Sequence, residues 1–127
     1  MTDSTAWPTE IRVSADRKIL HVGFEDDFSG TISAELLRVR SPSAEVQGHS
    51  PSERKTVPGK SNVMILGVEP VGNYAIRIRF DDMHDSGIYG WPLLRRFAGE
   101  GDAMMAEYEA ELAAKGMSRD PKILPRR

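Results

Sequence analysis

The sequence contains no cysteine. Disulfide bonds, thiolate zinc sites, iron–sulfur ligation by this chain and cysteine nucleophiles are therefore excluded at once. Long apolar runs are missing too. The longest, Val63 to Val68, is far too short to span a bilayer, and no membrane association is expected. The opening MTDSTAWPTE has no basic segment followed by an apolar one, so it does not read as a secretory signal. A cytoplasmic protein is the expectation. Net charge is small, formally -2, which makes nucleic acid an unfavoured partner while leaving room for a local basic patch. No G-x-S-x-G elbow frames a serine for nucleophilic attack. Gly59-Lys60-Ser61 ends like a phosphate-binding loop, but Arg54 occupies the required upstream glycine position. These absences weigh against an enzyme and favour a binding or adaptor module with an unknown protein partner.

What is present fits one domain. A chain of 127 residues buries roughly two-thirds of its unfolded surface, enough for one core. Ile11 and Val13 alternate with polar residues as a half-buried strand does. Ile19, Leu20, Val22 and Phe24 follow after a polar turn, predicting an antiparallel hairpin, and 28–32 predicts a short third strand. Ser33 reads as the N-cap of a short helix ended by Pro42. Residues 41–61 are rich in proline, glycine and polar side chains and read as a long loop, with 47–61 its mobile part. Val63 to Val68 restarts the sheet, and 70–73 reads as a turn. In 74–80, Tyr74, Ile76, Ile78 and Phe80 alternate with Ala75, Arg77 and Arg79, one face inward and one face basic. A short helix is expected over 89–97, and a separate one over 101–116, capped by Asp102. Met105, Tyr108 and Leu112 form its apolar stripe. The expected fold is α+β: a small, mainly antiparallel sheet with short helices packed on it, a C-terminal helix, and flexible termini at 1–7 and 117–127.

Two segments carry more than periodicity. The first is Leu36-Leu37-Arg38-Val39-Arg40-Ser41-Pro42-Ser43-Ala44-Glu45-Val46-Gln47-Gly48-His49. The second runs from Val71-Gly72-Asn73-Tyr74-Ala75 through Asp82-Met83-His84 to Gly87-Ile88-Tyr89-Gly90-Trp91. Together they resemble the γ-butyrobetaine hydroxylase-like N-terminal domain family, formerly a domain of unknown function, over about residues 8–97. The resemblance implies a small α+β domain. The family occurs beside oxygenase domains and iron–sulfur ATPases, and also as stand-alone bacterial proteins of about this size. Some members bind zinc through C-x-C-x-x-C and a histidine in a D-G-H segment. Those places fall here on Ser41, Ser43, Val46 and His84, with Met83 at the glycine, so the resemblance implies that the structural cysteine–zinc site is absent.

No cofactor is expected, but a weaker iron or zinc site is conceivable. His84 stands among aspartates, and His84, His49 and Asp82 would form an open two-imidazole, one-carboxylate set. The bland alternative is that His84 orders its loop. Arg38 and Arg40, with Arg77 and Arg79 on one strand face, would suit an acidic ligand or RNA, although exposed strand faces are often charged. Tyr89 and Trp91 are candidate partner contacts beside Arg38, Arg40 and His84, since aromatics and arginine anchor interfaces. Their bland alternative is the core.

Overall fold

The computed structural model describes residues 6–121. The expectations of flexibility at 1–5 and 122–127 lie outside the described residues. Three strands open the chain: β1 (Pro8–Val13), β2 (Ile19–Phe24) and β3 (Ser29–Ser33). They form an antiparallel sheet in the order β1-β2-β3. A bulge at Thr9 shifts the β1 register opposite Phe24 and Gly23. Leu20, Val22 and Phe24 alternate into the core, as their spacing predicts.

The short helix α1 (Ala34–Val39) follows directly, with the Ser33 hydroxyl accepting from the Leu36 amide as expected of its N-cap. A second sheet holds β4 (Ile65–Val71), β5 (Ala75–Phe80) and β6 (Ile88–Gly90), antiparallel in the order β4-β5-β6. Ile76, Ile78 and Phe80 point inward, and Arg77 pairs with Glu69 on the outer face at 2.6 Å. The fold class is thus α+β, built on two three-stranded sheets rather than one.

Four details depart from the sequence reading. Pro70 and Val71 belong to β4, so the turn begins at Gly72, and Tyr74 lies outside the strand with 59% of its surface exposed. Residues 88–90 are a strand, which takes Tyr89 into the core opposite Ile76. A single helix, α3 (Trp91–Ala114), replaces the two expected at 89–97 and 101–116. Asp102 is therefore an interior residue, not a cap. Gly99 and Gly101 lie in the helix interior and face Phe28 and Leu36 at distances where an added Cβ would just touch. Small residues there let the helix pack close to β3 and α1. At its other end Lys115 caps the helix and Gly116 takes φ 68°, the left-handed conformation glycine supplies without steric cost.

The segment between α1 and β4 is not one open loop. Ser43 caps a one-turn helix, α2 (Ala44–Gln47), and a 3-10 turn covers Pro51–Glu53. Beyond it, Arg54 and Thr56 hydrogen-bond Glu111, and the Tyr108 hydroxyl donates to the Val57 carbonyl. The start of the expected flexible tail is also held. Gly59 and Ser61 donate to the carbonyls of Ser118 and Arg119. Arg119 makes a bidentate pair with Glu35 at 2.7 and 2.8 Å. Such contacts satisfy backbone groups that proline- and glycine-rich composition leaves out of regular structure.

One principal core lies among the sheets, α1 and α3, with Leu36, Leu37, Ile65, Tyr89, Leu94 and Phe97 at its centre. A satellite of Val39, Tyr108 and Leu112 binds the second half of α3 to the end of α1. No helix among the described residues is long and apolar enough to cross a membrane.

Candidate functional site

The end of α1 and the β5–β6 connection meet at one polar cluster. After α1, the Ser41 hydroxyl accepts from the Ser43 amide at 3.2 Å, and the Ser43 hydroxyl accepts from the Glu45 amide at 3.1 Å. This turn fixes Ser41, Ser43 and Glu45 on one side of the chain. From the other side comes the loop 81–87. Its Asp82 carboxylate accepts from the His84 amide at 3.1 Å, and the Phe80 amide donates to the His84 carbonyl at 3.0 Å. The loop thereby turns the His84 ring inward.

The ring lands between two partners. Nδ1 lies 2.8 Å from Glu45 Oε1, and Nε2 lies 2.9 Å from Ser41 Oγ. A carboxylate only accepts, so Nδ1 carries the proton, and in the neutral ring Nε2 accepts from the Ser41 hydroxyl. Ser43 and Ser86 hydroxyls join the two segments again at 2.7 Å. Gly87 closes the site: a Cβ there would sit 2.4 Å from Ser41 Oγ.

Serine, imidazole and carboxylate in this order have the connectivity of a nucleophilic triad. The serine and the histidine are nonetheless enclosed: Ser41 is 0% exposed and His84 is 5% exposed. The arrangement works as a hydrogen-bonded latch between the segment after α1 and the β5–β6 loop.

Asp82 forms a second knot behind the latch. Its Oδ2 accepts from Arg38 Nε at 2.7 Å and from Lys60 at 2.6 Å. Burial opposes ionisation of this carboxyl. Lys60, the His84 amide and Arg38 outweigh it and bring the pKa down to about 2. A depressed carboxyl pKa favours the folded state above the unfolded-state value and loses that contribution as pH falls through the folded-state value. Acid titration of the wild-type protein should therefore show a stability loss between about pH 4 and pH 2. Asp82→Asn should remove that component; an unchanged acid profile in this variant would assign the loss to other groups.

The expected set of His84, His49 and Asp82 is not assembled. Both His84 ring nitrogens are engaged, Asp82 turns to Arg38 and Lys60, and His49 is an exposed residue whose amide donates to Glu53. Among the described residues, no group of three or more histidine, aspartate or glutamate side chains is placed to hold a metal ion. The zinc implied by some relatives also finds no matching donors. Two hydroxyls and a buried valine occupy the thiolate places, and neither supplies the ligands zinc prefers.

Of the expected partner contacts, Tyr89 is fully buried, its hydroxyl donating to the Leu37 carbonyl at 2.5 Å. Burial pushes that phenol well above its ordinary pKa. Arg40 lies beneath the surface on Glu111, and Trp91 is half-buried with its indole N–H on the Asn73 carbonyl. Arg38 and His84 belong to the two knots just described. Each of these side chains is thus at least partly buried and engaged within the fold. Glu45 is the site residue that sequence reading missed. The signal for it was modest: a Ser-x-Glu start to a one-turn helix beside the Ser41-Pro42 segment.

The model of the family described as gamma-butyrobetaine hydroxylase-like, N-terminal, matches residues 11–95. The chain belongs to this family. In this member of the γ-butyrobetaine hydroxylase-like N-terminal family, the segment after α1 and the β5–β6 loop meet at Ser41 and His84. Two solution structures determined by NMR are similar across nearly the whole chain. One is 44% identical with a TM-score of 0.79, covering 96% of each chain. The other is 37% identical with a TM-score of 0.79, covering 100% of this chain and 98% of its own. A crystal structure of a protein of unknown function of the DUF971 family from Acidithiobacillus ferrooxidans is 34% identical, with a TM-score of 0.61. It covers 75% of this chain and 96% of its own. Among curated proteins, none matches the chain.

Proposed function

We propose that this chain is a non-catalytic binding module that contacts a partner protein through the tip of the β5–β6 loop. The observation that carries this reading is Met83. It is 82% exposed and holds φ 77°, a left-handed conformation that costs a non-glycine residue energy. The residues on either side are fixed from beneath, Asp82 by Arg38 and Lys60, His84 by Ser41 and Glu45. A flexible apolar side chain is therefore presented on a rigid support, which lowers the ordering cost of binding. Methionine's adaptable thioether suits such a contact. Backbone strain at an exposed residue is a pointer toward function when no packing explains it. The family's occurrence beside oxygenases and iron–sulfur ATPases suggests a partner in those pathways, by analogy alone.

The test separates stability from binding. Met83→Gly relieves the left-handed strain and adds some unfolded-state entropy, so it should raise stability by about 0.5–1 kcal/mol. The same variant should lose a partner that photo-methionine at position 83 cross-links in the native cell. Loss of stability on substitution would mark Met83 as a packing residue. A cross-linked partner that binds the purified glycine variant as tightly as wild type would remove the loop tip from the interface.

A further inference from the structure

Away from the latch, a cleft of about 260 Å³ lies between the α2 segment and α3. Its composition is divided. Arg40, Arg54 and Arg96 supply three guanidinium groups, while Leu93, Phe97 and Met104 supply apolar wall. Glu107 also lines it, at 3.9 Å from Arg40 and mostly exposed.

Arg40 is the most enclosed of the three arginines, its guanidinium lying over the Tyr108 ring. Its side chain is only 4% exposed, and Nη2 donates to Glu111 at 2.8 Å. Nη1 is buried and has no hydrogen-bond partner. Buried polar atoms are almost always paired, and an unpaired nitrogen on a charged group asks for an explanation. Arg54 shares Glu111 with Arg40, and Arg96 reaches Glu100 at 3.3 Å. Three five-donor forks thus share few acceptors, and their donor capacity exceeds what these carboxylates take up.

We infer that this cleft binds a small organic carboxylate, its head group on the arginines and its hydrocarbon on Leu93, Phe97 and Met104. The guanidinium fork matches a planar carboxylate in two hydrogen bonds. The apolar wall distinguishes an organic acid from a bare inorganic anion. The volume falls just below the roughly 300 Å³ at which pockets begin to take drug-sized ligands, so a short-chain acid fits and a nucleotide does not. This inference stands apart from the loop-tip reading and shares no residue with it.

The experiment titrates hexanoate into the isotope-labelled full chain, following arginine Nε–H and side-chain methyl signals. Hexanamide and inorganic phosphate serve as matched probes. Saturable shifts should appear together at Arg40, Arg54, Arg96, Leu93 and Met104. Hexanamide should bind at least about tenfold more weakly, and phosphate should leave the methyl signals unmoved. Arg96→Gln should weaken hexanoate about tenfold, and Met104→Glu should abolish saturation, both with the wild-type spectrum elsewhere. Arg40→Met addresses the unpaired nitrogen directly; because it also strips Glu111 of a partner, the other two variants carry the decision if it fails to fold. Equal binding of hexanamide, shifts scattered over surface arginines, no saturation, or unaltered hexanoate affinity in both Arg96→Gln and Met104→Glu would overturn the inference.

Discussion

His84→Ala should cost about 3 kcal/mol of stability, roughly 10 °C in Tm for a chain of this size. The loss has two sources. The Ser41 hydroxyl is fully buried and cannot replace its imidazole partner with water. The vacated ring also leaves space beside Phe80, whose ring centroid lies 6.0 Å from that of His84. The Glu45 side chain contributes less, because it is 67% exposed and regains water freely. The order of destabilisation should therefore be His84→Ala, then Ser41→Ala at about 1–2 kcal/mol, then Glu45→Ala below about 1 kcal/mol. The double variant of His84 and Ser41 should fall short of additivity by about 1 kcal/mol, as groups in one network do. Chemical denaturation of the four variants checks this. If Glu45→Ala proved as costly as His84→Ala, the stabilisation would reside in the charge pair and not in the buried serine bond.

Why was the latch only half legible? Its two halves lie in the segments that resemble the family, so His84 and Ser41 were singled out together. Glu45 was not, because its role exists only once residues 39 positions apart are brought into contact. The connecting helix has four residues, too short for any periodic signal. Strand β5 was readable because Ile76, Ile78 and Phe80 give an uninterrupted two-residue period against Arg77 and Arg79. Strand β6 has three residues, and no alternation can be recognised over that length. Local sequence therefore suggests a helix around Tyr89, and only its pairing with Ile76 reveals the strand. The break expected in α3 has a different origin. Gly99-Glu100-Gly101 has the composition of a turn, and local propensity ends a helix there. Packing against Phe28 and Leu36 overrides it: both glycines lie on the packed face of the helix, where even an added Cβ would be in van der Waals contact.

The same competition governs the segment from Ser41 to Ser61. Composition predicts a mobile loop because few of its residues have apolar surface to bury. The structure anchors it instead through polar groups of α3, chiefly Glu111 and Tyr108. Burial, together with the Glu35 carboxylate, pushes the Tyr108 phenol up to about 12, so it remains a hydroxyl donor to Val57 across ordinary conditions. Local sequence could not disclose these anchors, which lie more than 50 residues away.

Glu111→Ala should be the second severe substitution, at about 3 kcal/mol. One carboxylate there serves three groups: Arg40 at 2.8 Å, Arg54 at 2.5 Å and the Thr56 hydroxyl at 3.3 Å. Arg54 is partly exposed and can recover water. Arg40 recovers far less, because its side chain is almost completely enclosed and its guanidinium rests 5.6 Å from the Tyr108 ring centroid. Removing the partner leaves a buried cation whose nearest remaining carboxylate, Glu107, is 3.9 Å away and well solvated. The penalty is that of an uncompensated buried charge, which is larger than the net worth of the intact pair. Glu107→Ala supplies the control and should cost less than about 0.5 kcal/mol, as exposed pairs do. Glu111→Gln should fall between, since the amide keeps an acceptor but not the charge. Amide exchange should accelerate from Arg54 to Val57 in Glu111→Ala, because that stretch loses its anchor on α3. Equal costs for Glu111→Ala and Glu107→Ala would mean that Arg40 finds water or another partner. The segment would then be held chiefly by its other contacts, among them the Tyr108–Val57 bond, the Lys115–Thr56 bond and the pairing of Gly59 and Ser61 with Ser118 and Arg119.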